Sequence, residues 1–458
     1  MKRIAALACC MFLLAACMGP RPDPPPAANV VPPAEWLGPA ATGAADLRGD
    51  WWRAFDDPVL DRLVEEAITG NVDLAIAAAR VDEARAQFHF VEGLAGPDVA
   101  FSATGGRQRA VNAFGRGLTQ TYGQAQVFAS YEVDLFGRLR AASESARASL
   151  LATEEARDTL RLSVAATMIG GYITLRALDA RLVLLHDTLE ARGETLRLIR
   201  RRVDAGYGTR LELAQSEADY QAAAQAIPAT QLAIARQEHA LRVLLGDNPG
   251  GIVRGLALVD LRVAEPPPAG VPSSLLRSRP DIAQAEHQLV AADRSLDAAR
   301  AAFLPRLQLS GSLGTVESNI LRSGVDVFTL GASVLAPLFQ RGKLEAQADA
   351  AAARRDQAAF AYRRTVIVAF REVEDALSTI QRSAEQEQAL QAQNEAATAA
   401  LELATKRYRS GYSPYLEQLD AQRAKLAGEI LLIQARADRL TAIVSLHQSL
   451  GGGWTAVR

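Results

Sequence analysis

The chain carries the same series of motifs twice, at a nearly constant separation. The motif "DLFGRLR" matches "FQRGKLE", and "RVDAGYGTRLE" matches "RYRSGYSPYLE", each pair lying 205 residues apart. Upstream, "GPDVAFSATGG" matches "LPRLQLSGSLG" at 208 residues, which implies a three-residue length change in the loop between. A separation held over several hundred residues indicates internal duplication. The sequence therefore predicts repeat 1 (51–251), a surface connector (252–274) and repeat 2 (275–458).

Each repeat contains one very long stretch with helical periodicity and no proline, residues 138–204 and 343–408. At 1.5 Å per residue, each stretch predicts a helix of about 100 Å. Helices of this length have to pack lengthwise on other helices. A Gly-Tyr turn, near residue 206 or 411, then leads into a returning helix. Pro228 predicts a kink or an interruption in the first returning helix.

Two segments in each repeat alternate apolar and polar residues and predict β-strands. The predicted strands are about 97–106, 123–136, 305–315 and 326–338. Strands of about 10 residues are long enough to cross a bilayer at a tilt, and no long apolar helical run follows the N-terminal segment. Four strands cannot close on themselves, so a membrane-embedded sheet requires further copies of the chain. A small soluble sheet or surface hairpins on a coiled-coil protein are the alternatives.

The N-terminus has the pattern of an export signal. Two basic residues precede an apolar run that ends in "LAAC", with small residues before Cys17. This pattern predicts a lipoprotein signal peptide (1–16), cleavage before Cys17, and a diacylglycerol and an N-acyl chain on that cysteine. The alternative is an ordinary signal peptide with an incidental cysteine. Residues 17–50 are proline-rich and predict an extended tether.

No set of residues in the sequence predicts catalysis. The five histidines are scattered and lack metal-ligand spacing, and no phosphate-binding glycine loop or nucleophile elbow occurs. The formal net charge of −2 makes nucleic acid an unsuitable partner. We therefore expect no enzymatic activity, no metal and no dissociable cofactor, and any transport would be passive.

Four stretches resemble the TolC-type outer-membrane efflux proteins, in the lipoprotein branch that serves RND-type pumps (the OprM/NodT-like group). The most specific is "RSRPDIAQAEHQL" leading into "AAFLPRLQLSGSLG", and the others are "YEVDLFGRLR", "RYRSGYSPYLEQLDAQR" and the segment beginning "WWRAFDDPVLDRL". The resemblance implies a homotrimer with a 12-stranded β-barrel in the bacterial outer membrane. It also implies that an α-helical coiled-coil barrel continues this β-barrel into the periplasm. The expected fold class is thus mainly α with a membrane β-barrel.

The same resemblance implies the function and the partners. It predicts a passive exit duct of a tripartite RND-type efflux pump, lipid-anchored in the outer membrane, that exports drugs, metals or other small molecules. A periplasmic adaptor protein and an inner-membrane RND pump would complete the assembly. The alternatives are the outer-membrane duct of a type I protein secretion system and a non-conducting coiled-coil lipoprotein scaffold.

The two Gly-Tyr turns are the candidate functional site. Gly206, Tyr207, Gly411 and Tyr412 suit tight turns between long helices, and the resemblance makes them the periplasmic tips that contact the adaptor. Acids follow each turn, which is also what helix N-termini favour in general. In the family, acids matching Glu417 and Asp420 face the pore at its narrowest point. Repeat 1 has Glu212 in the place of Glu417, but Gln215 in the place of Asp420.

Some family members hold the tip closed with a tyrosine and an arginine of the second repeat. Tyr408 matches that tyrosine, whereas Ser413 stands where the arginine is expected. Arg210 of repeat 1 is a nearby basic residue that is a candidate for a substitute contact.

Overall fold

The computed structural model describes residues 20–38, 49–111, 114–263, 265–321, 323–340 and 342–454. The predicted signal peptide and Cys17 lie outside the described residues. Repeat 1 contains α1 (Pro58–Gly70), α2 (Val72–Gly93), β1 (Asp98–Val111), β2 (Gly117–Val133), α3 (Arg138–Asp204) and α4 (Arg210–Leu244). After the short α5 (Leu275–Ser278), repeat 2 contains α6 (Pro280–Ala301), β3 (Arg306–Ser318), β4 (Val325–Leu335), α7 (Lys343–Arg409) and α8 (Tyr415–Ser449).

The long helices of the two repeats match in length and position. Both α3 and α7 have 67 residues, and both α4 and α8 have 35 residues. Helix α4 continues through Pro228 without interruption, and Ile227 and Thr230 on either side of it are buried. Packing of the surrounding turns therefore compensates for the backbone hydrogen bond that proline removes. Among the described residues, no helix combines the length and the apolar character needed to cross a membrane.

The four strands form one antiparallel sheet in the order β1-β2-β3-β4. Asp98 pairs with Ser130 in repeat 1, and Arg306 pairs with Leu335 in repeat 2. These equivalent pairs are separated by 208 residues in the first strand and by 205 in the second. The three-residue difference between the repeats therefore lies at the hairpin end, and the strand register is the same in both repeats.

One face of the sheet is apolar on all four strands and largely exposed. Cross-strand pairs such as Phe101–Val127, Val127–Leu313 and Leu313–Phe328 join the strands along this face. The exposed fraction of Phe101 is 69%, and that of Phe328 is 75%. The other face carries polar side chains, which include Ser102, Gln124, Gln126, Ser130, Gln308, Ser310, Ser312, Thr329 and Ser333. A protein surface with so many exposed apolar side chains needs a covering phase or partner.

The strands differ from the predicted bounds at both ends. β1 continues to Val111 and β2 begins at Gly117, because backbone pairing extends through polar residues that carry no apolar alternation. β2 ends at Val133, since Asp134 accepts hydrogen bonds from the Leu139 and Arg140 amides and caps α3. β4 ends at Leu335, two residues before Pro337, which has no amide hydrogen to donate.

The described residues divide into two compact units. The first comprises residues up to Val30, Ala79–Glu154 and Gln284–Arg364, and it contains the sheet. The second comprises Val31–Ala78, Glu155–Ala283 and the residues from Thr365 onward. Its core is formed by buried residues of α1, α3, α4 and α8, among them Leu60, Val64, Met168, Ile169, Tyr172, Ile173, Leu241, Leu440 and Ile443.

The expectation that residues 252–274 form a surface connector is wrong for much of this segment. Ile252, Leu258 and Leu261 are buried in the core of the second unit. The Asp57 carboxylate accepts hydrogen bonds from the Leu256 amide (3.0 Å) and from the Tyr172 hydroxyl (2.9 Å). The buried acid thus fixes the connector to the helices, which sequence periodicity does not reveal.

The predicted tether is also docked where it is described. In the first unit, Arg21 pairs with Asp293 and Asp297, and the buried Arg355 donates to the carbonyls of Pro22 and Asp23. Arginine side chains replace the apolar contacts that a proline-rich segment lacks, so the segment is extended but held in place.

In the second unit, Trp36 donates to the Gly270 carbonyl at 2.9 Å. The amides of Leu37 and Gly38 donate to the Glu374 carboxylate. The second half of the described N-terminal segment is therefore also held by specific polar contacts.

Candidate functional site at the two helical turns

The two Gly-Tyr turns have the same backbone geometry. Gly206 has φ +80° and Gly411 has φ +77°, in the left-handed region that favours glycine. The Tyr207 amide donates to the Arg202 carbonyl at 2.8 Å, and the Tyr412 amide donates to the Arg407 carbonyl at 2.9 Å. These bonds close each long helix with a Schellman-type cap. The duplication thus preserves a helix terminus that requires glycine.

Each turn presents an exposed tyrosine and an exposed leucine. Tyr207 is 82% exposed and Tyr412 is 81% exposed, and Leu211 and Leu416 follow at equivalent positions. Exposed aromatic and apolar side chains at corresponding places in both repeats form a repeated surface suited to contact with a protein. We call Tyr207, Leu211, Tyr412 and Leu416 the tip surface.

The helices that return from the turns begin differently in the two repeats. Thr209 and Glu212 form a capping box, in which the Glu212 carboxylate accepts from the Thr209 amide at 3.0 Å. In repeat 2, Pro414 occupies the cap position and provides no side-chain cap. Glu212 therefore has a local structural role that its counterpart Glu417 does not share.

The two predicted aperture acids of repeat 2 have different environments. Glu417 lies 3.3 Å from Arg407 Nε, with both side chains about half exposed. Asp420 is exposed and makes no hydrogen bond or ion pair with any described residue. Arg210 is also exposed and forms no ion pair with either acid within the described part of the protomer. The cation next to Glu417 is thus Arg407, and Ser413 is a half-buried residue of the turn.

An apolar cluster joins the two hairpins just behind the turns. Tyr408 and Tyr415 pack with ring centroids 5.5 Å apart, and Ile199 and Leu419 complete the cluster. The Arg202 guanidinium lies 5.4 Å from the centroid of the Tyr408 ring, within cation–π range. Burial raises the pKa of the Tyr408 hydroxyl, so it stays protonated and can act as a hydrogen-bond donor.

A buried ion pair lies beside this cluster. Arg192 Nε is 2.8 Å from Asp219 Oδ2, and the side chains are only 7% and 3% exposed. Arg192 also donates to the Asp219 carbonyl, and Arg423 of α8 reaches Asp219 Oδ1 at 3.1 Å. Asp219 therefore connects α3 and α4 of repeat 1 to α8 of repeat 2. We call Arg192, Asp219 and Arg423 the tip ion network.

Sequence reasoning missed the tip ion network, although a signal for it exists. Asp219 lies in the stripe of buried positions of α4 that includes Ser216, Ala223 and Ile227. A charged residue inside such a stripe requires a partner, because an unpaired buried charge is costly. The partners, Arg192 and Arg423, are distant in sequence and cannot be identified from spacing alone.

Within the described residues, no group of three or more His, Cys, Asp or Glu side chains could hold a metal ion. The site consists of a repeated turn, exposed aromatic side chains, acids and a buried ion network. Such an arrangement can bind a protein partner and can set the charge of an aperture.

Comparison with known proteins identifies the family of this chain. The family model described as outer membrane efflux protein matches residues 63–247 and 271–452, one match for each repeat. Outer membrane protein OprJ of Pseudomonas aeruginosa is 35% identical over 473 residues, which cover 98% of this chain and 96% of OprJ. The toluene efflux pump outer membrane protein TtgC of Pseudomonas putida is 33% identical over 467 residues, covering 99% and 96%.

Solved structures agree with these relatives. The outer-membrane channel OprN matches with a TM-score of 0.87 and 31% identity, covering 95% of this chain and 99% of OprN. The open state of the Neisseria gonorrhoeae MtrE outer membrane channel matches with a TM-score of 0.85 and 30% identity, covering 95% and 98%. The family resemblance expected from the sequence motifs is confirmed. The chain belongs to the outer membrane efflux protein family.

Proposed function

We propose that three copies of this chain form the outer-membrane exit duct of a tripartite RND-type efflux pump. The duct is passive and non-enzymatic, and a periplasmic adaptor and an inner-membrane pump supply docking and energy. The observation that carries this proposal is the four-stranded sheet with an exposed apolar face and two unpaired edges. The relatives, which include outer membrane proteins of toluene and antibiotic efflux pumps, support export of small molecules. The diacylglycerol and N-acyl chain on Cys17 belong to the same proposal.

The unpaired edges of the sheet call for further copies of the chain. The strands β1 and β4 each have one side without a partner strand in the protomer. Unpaired backbone groups in a hydrocarbon environment cost several kcal/mol each, so both edges require pairing in a membrane. Because β1 and β4 run antiparallel to their own neighbours, β4 of one copy can pair with β1 of the next. Three copies supply twelve strands, the number implied by the resemblance to TolC-type proteins.

The duplication also predicts the register of this pairing. Within the chain, Ala129 of β2 pairs with Gly311 of β3. Val334 of β4 is the equivalent of Ala129, and Ala103 of β1 is the equivalent of Gly311, by the separations given above. Val334 should therefore lie directly opposite the partner subunit's Ala103.

Cysteine cross-linking tests the proposed assembly. In a Val334→Cys, Ala103→Cys double variant, opposed Cβ atoms about 5 Å apart permit a disulfide. We expect a covalent trimer on a non-reducing gel that reverts to monomer on reduction. No cysteine follows residue 17 in the native sequence, so background cross-linking is low.

The matched control shifts one cysteine by two residues on the same face. In Val334→Cys, Phe101→Cys, the Cβ atoms are about 7 Å or more apart, so little disulfide should form. Equal cross-linking of both variants, or none in either, contradicts the proposed register.

The tips supply the second part of the proposal. Three copies bring six turns together, and the tip surface offers the adaptor the same Tyr and Leu pair at each turn. Asp420 is exposed and free of intramolecular partners, and Glu417 is half exposed, so both acids are available to line an aperture. A ring of carboxylates favours cations over anions.

Neutralising the aperture acids should lower cation selectivity. In Glu417→Gln, Asp420→Asn, six carboxylates are lost from the trimer and Arg407 loses its partner, so both changes favour anions. We expect the reversal potential in a salt gradient across a planar bilayer to move clearly toward zero. Glu402→Gln removes an exposed acid from α7 farther from the turn and serves as the control. An unchanged reversal potential in the double variant would place these acids outside the constriction.

A further inference from the structure

The edge strand β1 carries two arginines on the otherwise apolar face of the sheet. Arg107 pairs with Thr121 and Arg109 with Thr119, in a register that runs unbroken from Asp98 to Val111. Side chains two residues apart share a face of a strand, so both arginines lie on the face of Phe101. Tyr122, opposite Gly106, contacts the position of a Cβ on that glycine from the other face. The two arginines are thus on the surface proposed to face lipid.

Both arginines are exposed and without partners. Neither forms a hydrogen bond or an ion pair with any described residue of the protomer. The Arg109 Nε lies 3.3 Å from where a Cβ on Gly117 would be, so the side chain extends along the sheet toward the hairpin end. Long cationic side chains at a membrane surface extend in this way toward the polar phase.

The pair of cations is specific to repeat 1. The equivalent residues of β3 are Thr315 and Glu317, so the second hairpin carries an acid where β1 carries Arg109. The Glu317 carboxylate lies near Gly324 at the end of its own hairpin, and it pairs with neither arginine. Duplication alone therefore does not account for Arg107 and Arg109.

The position along the strand indicates what the arginines can bind. Arg107 lies six residues from Phe101, or about 20 Å along the strand, in the direction of the hairpin turn. An arginine in the middle of an apolar band costs about 2–4 kcal/mol, whereas the cost falls to nearly nothing at the interface. Beyond the band, an unpaired guanidinium meets lipid headgroups, and phosphate is the group that its planar fork recognises best.

We propose that Arg107 and Arg109 form a binding site for the phosphate groups of the anionic glycolipid of the outer leaflet. This inference rests on the proposed function, because it requires the sheet to lie in the outer membrane with its hairpins outward. Each trimer would present three such sites, and the bound lipid would cover the adjacent apolar face of β1.

The test compares lipid binding to the purified trimer by native mass spectrometry. The probes are bisphosphorylated lipid A and the same lipid after removal of its phosphates. Arg107→Gln, Arg109→Gln should reduce binding of the phosphorylated lipid about tenfold or more, since each cation near the lipid surface contributes appreciably. Binding of the dephosphorylated lipid should not change. Arg107→Lys, Arg109→Lys should retain a large part of the binding.

The control is Arg306→Gln. Arg306 is exposed at the start of β3, on the polar face and at the other end of the strand, and its loss should leave lipid binding unchanged. Equal binding of both lipids by the native protein overturns the proposal. So does unchanged binding by the Gln double variant, including the case in which that variant dissociates into monomers because the arginines pair with a partner copy. A trimer that conducts ions but ignores lipid phosphate refutes this site alone and leaves the proposed duct intact.

Discussion

Replacing Asp219 with alanine should loosen the two hairpins behind the turns and increase ion conductance through the assembled protein. The change leaves Arg192 as a buried cation without its carboxylate partner and removes the contact from Arg423. Loss of one partner of a buried ion pair typically costs about 3–5 kcal/mol. Because the hairpins are packed only through the small apolar cluster and the tip ion network at this level, the cost should appear as local opening.

Hydrogen exchange and conductance measure this effect independently. We expect faster amide exchange in the segments around residues 195–220 and 408–425, and a larger conductance in planar bilayers. Glu217→Gln is the matched control, since the Arg200–Glu217 pair has the same 2.8 Å separation but is about half exposed. Exposed pairs contribute at most about 1 kcal/mol, so this variant should behave as the native protein.

An apolar replacement separates the charge effect from general damage. Arg192→Met, Asp219→Leu removes both charges and fills a similar volume, which is often neutral for stability. This variant should exchange and conduct more like the native protein than Asp219→Ala does. If Asp219→Ala and Glu217→Gln give the same exchange and conductance, the tip ion network does not hold the hairpins together.

Replacing Asp57 with alanine should strongly destabilise the unit that contains the connector. The Asp57 carboxylate accepts hydrogen bonds from the amides of Val59 and Leu256 and from the Tyr172 hydroxyl. Burial raises the pKa of Tyr172 to about 12, so this hydroxyl remains a donor at physiological pH. A Cβ on Gly255 would fall against the carboxylate, so the connector backbone closely covers the acid.

Removal of the carboxylate leaves several buried donors unsatisfied, each at a cost of about 1–3 kcal/mol. We expect a total loss of about 3–5 kcal/mol in the free energy of unfolding of this unit, within the range of severe single substitutions. The melting temperature should fall by about 10 °C, and limited proteolysis should cleave within residues 252–263. The neighbouring Asp56→Ala, which removes only an exposed pair with Arg262, should change little. Equal melting temperatures for the two variants would contradict the assigned role of Asp57.

The sequence predicts the helices well because their signal is local and long. Unbroken periodicity over more than 60 residues indicates α3 and α7, and the start of α3 at Arg138 follows directly from the preceding strand and Gly137. The capping box of Thr209 and Glu212 is also readable from spacing. Strand ends are less readable, because hairpin pairing extends through polar residues that resemble a loop.

The connector and the N-terminal segment could not be predicted because their burial depends on distant residues. Asp57 and Leu256 are about 200 residues apart, and Arg355 meets Pro22 and Asp23 across more than 300. Composition describes both segments as proline-rich and polar, which is typical of surface chain. Only the fold brings the arginines and the buried acid into contact with their backbone groups.

The roles of the tip residues are the part of the site that neither the motif match nor the protomer determines by itself. Glu417 and Asp420 follow a helix start in which acids are favourable anyway, and their function at an aperture requires three copies. Tyr207 and Tyr412 likewise gain a role only against a partner protein.

Single-channel recording of the purified native protein in planar bilayers tests the duct most directly. We predict stepwise ion currents with a preference for cations, small in the native trimer and larger in Asp219→Ala. Absence of discrete currents from both proteins, when both are trimeric and inserted in the bilayer, would contradict the conclusion that this chain forms an outer-membrane duct.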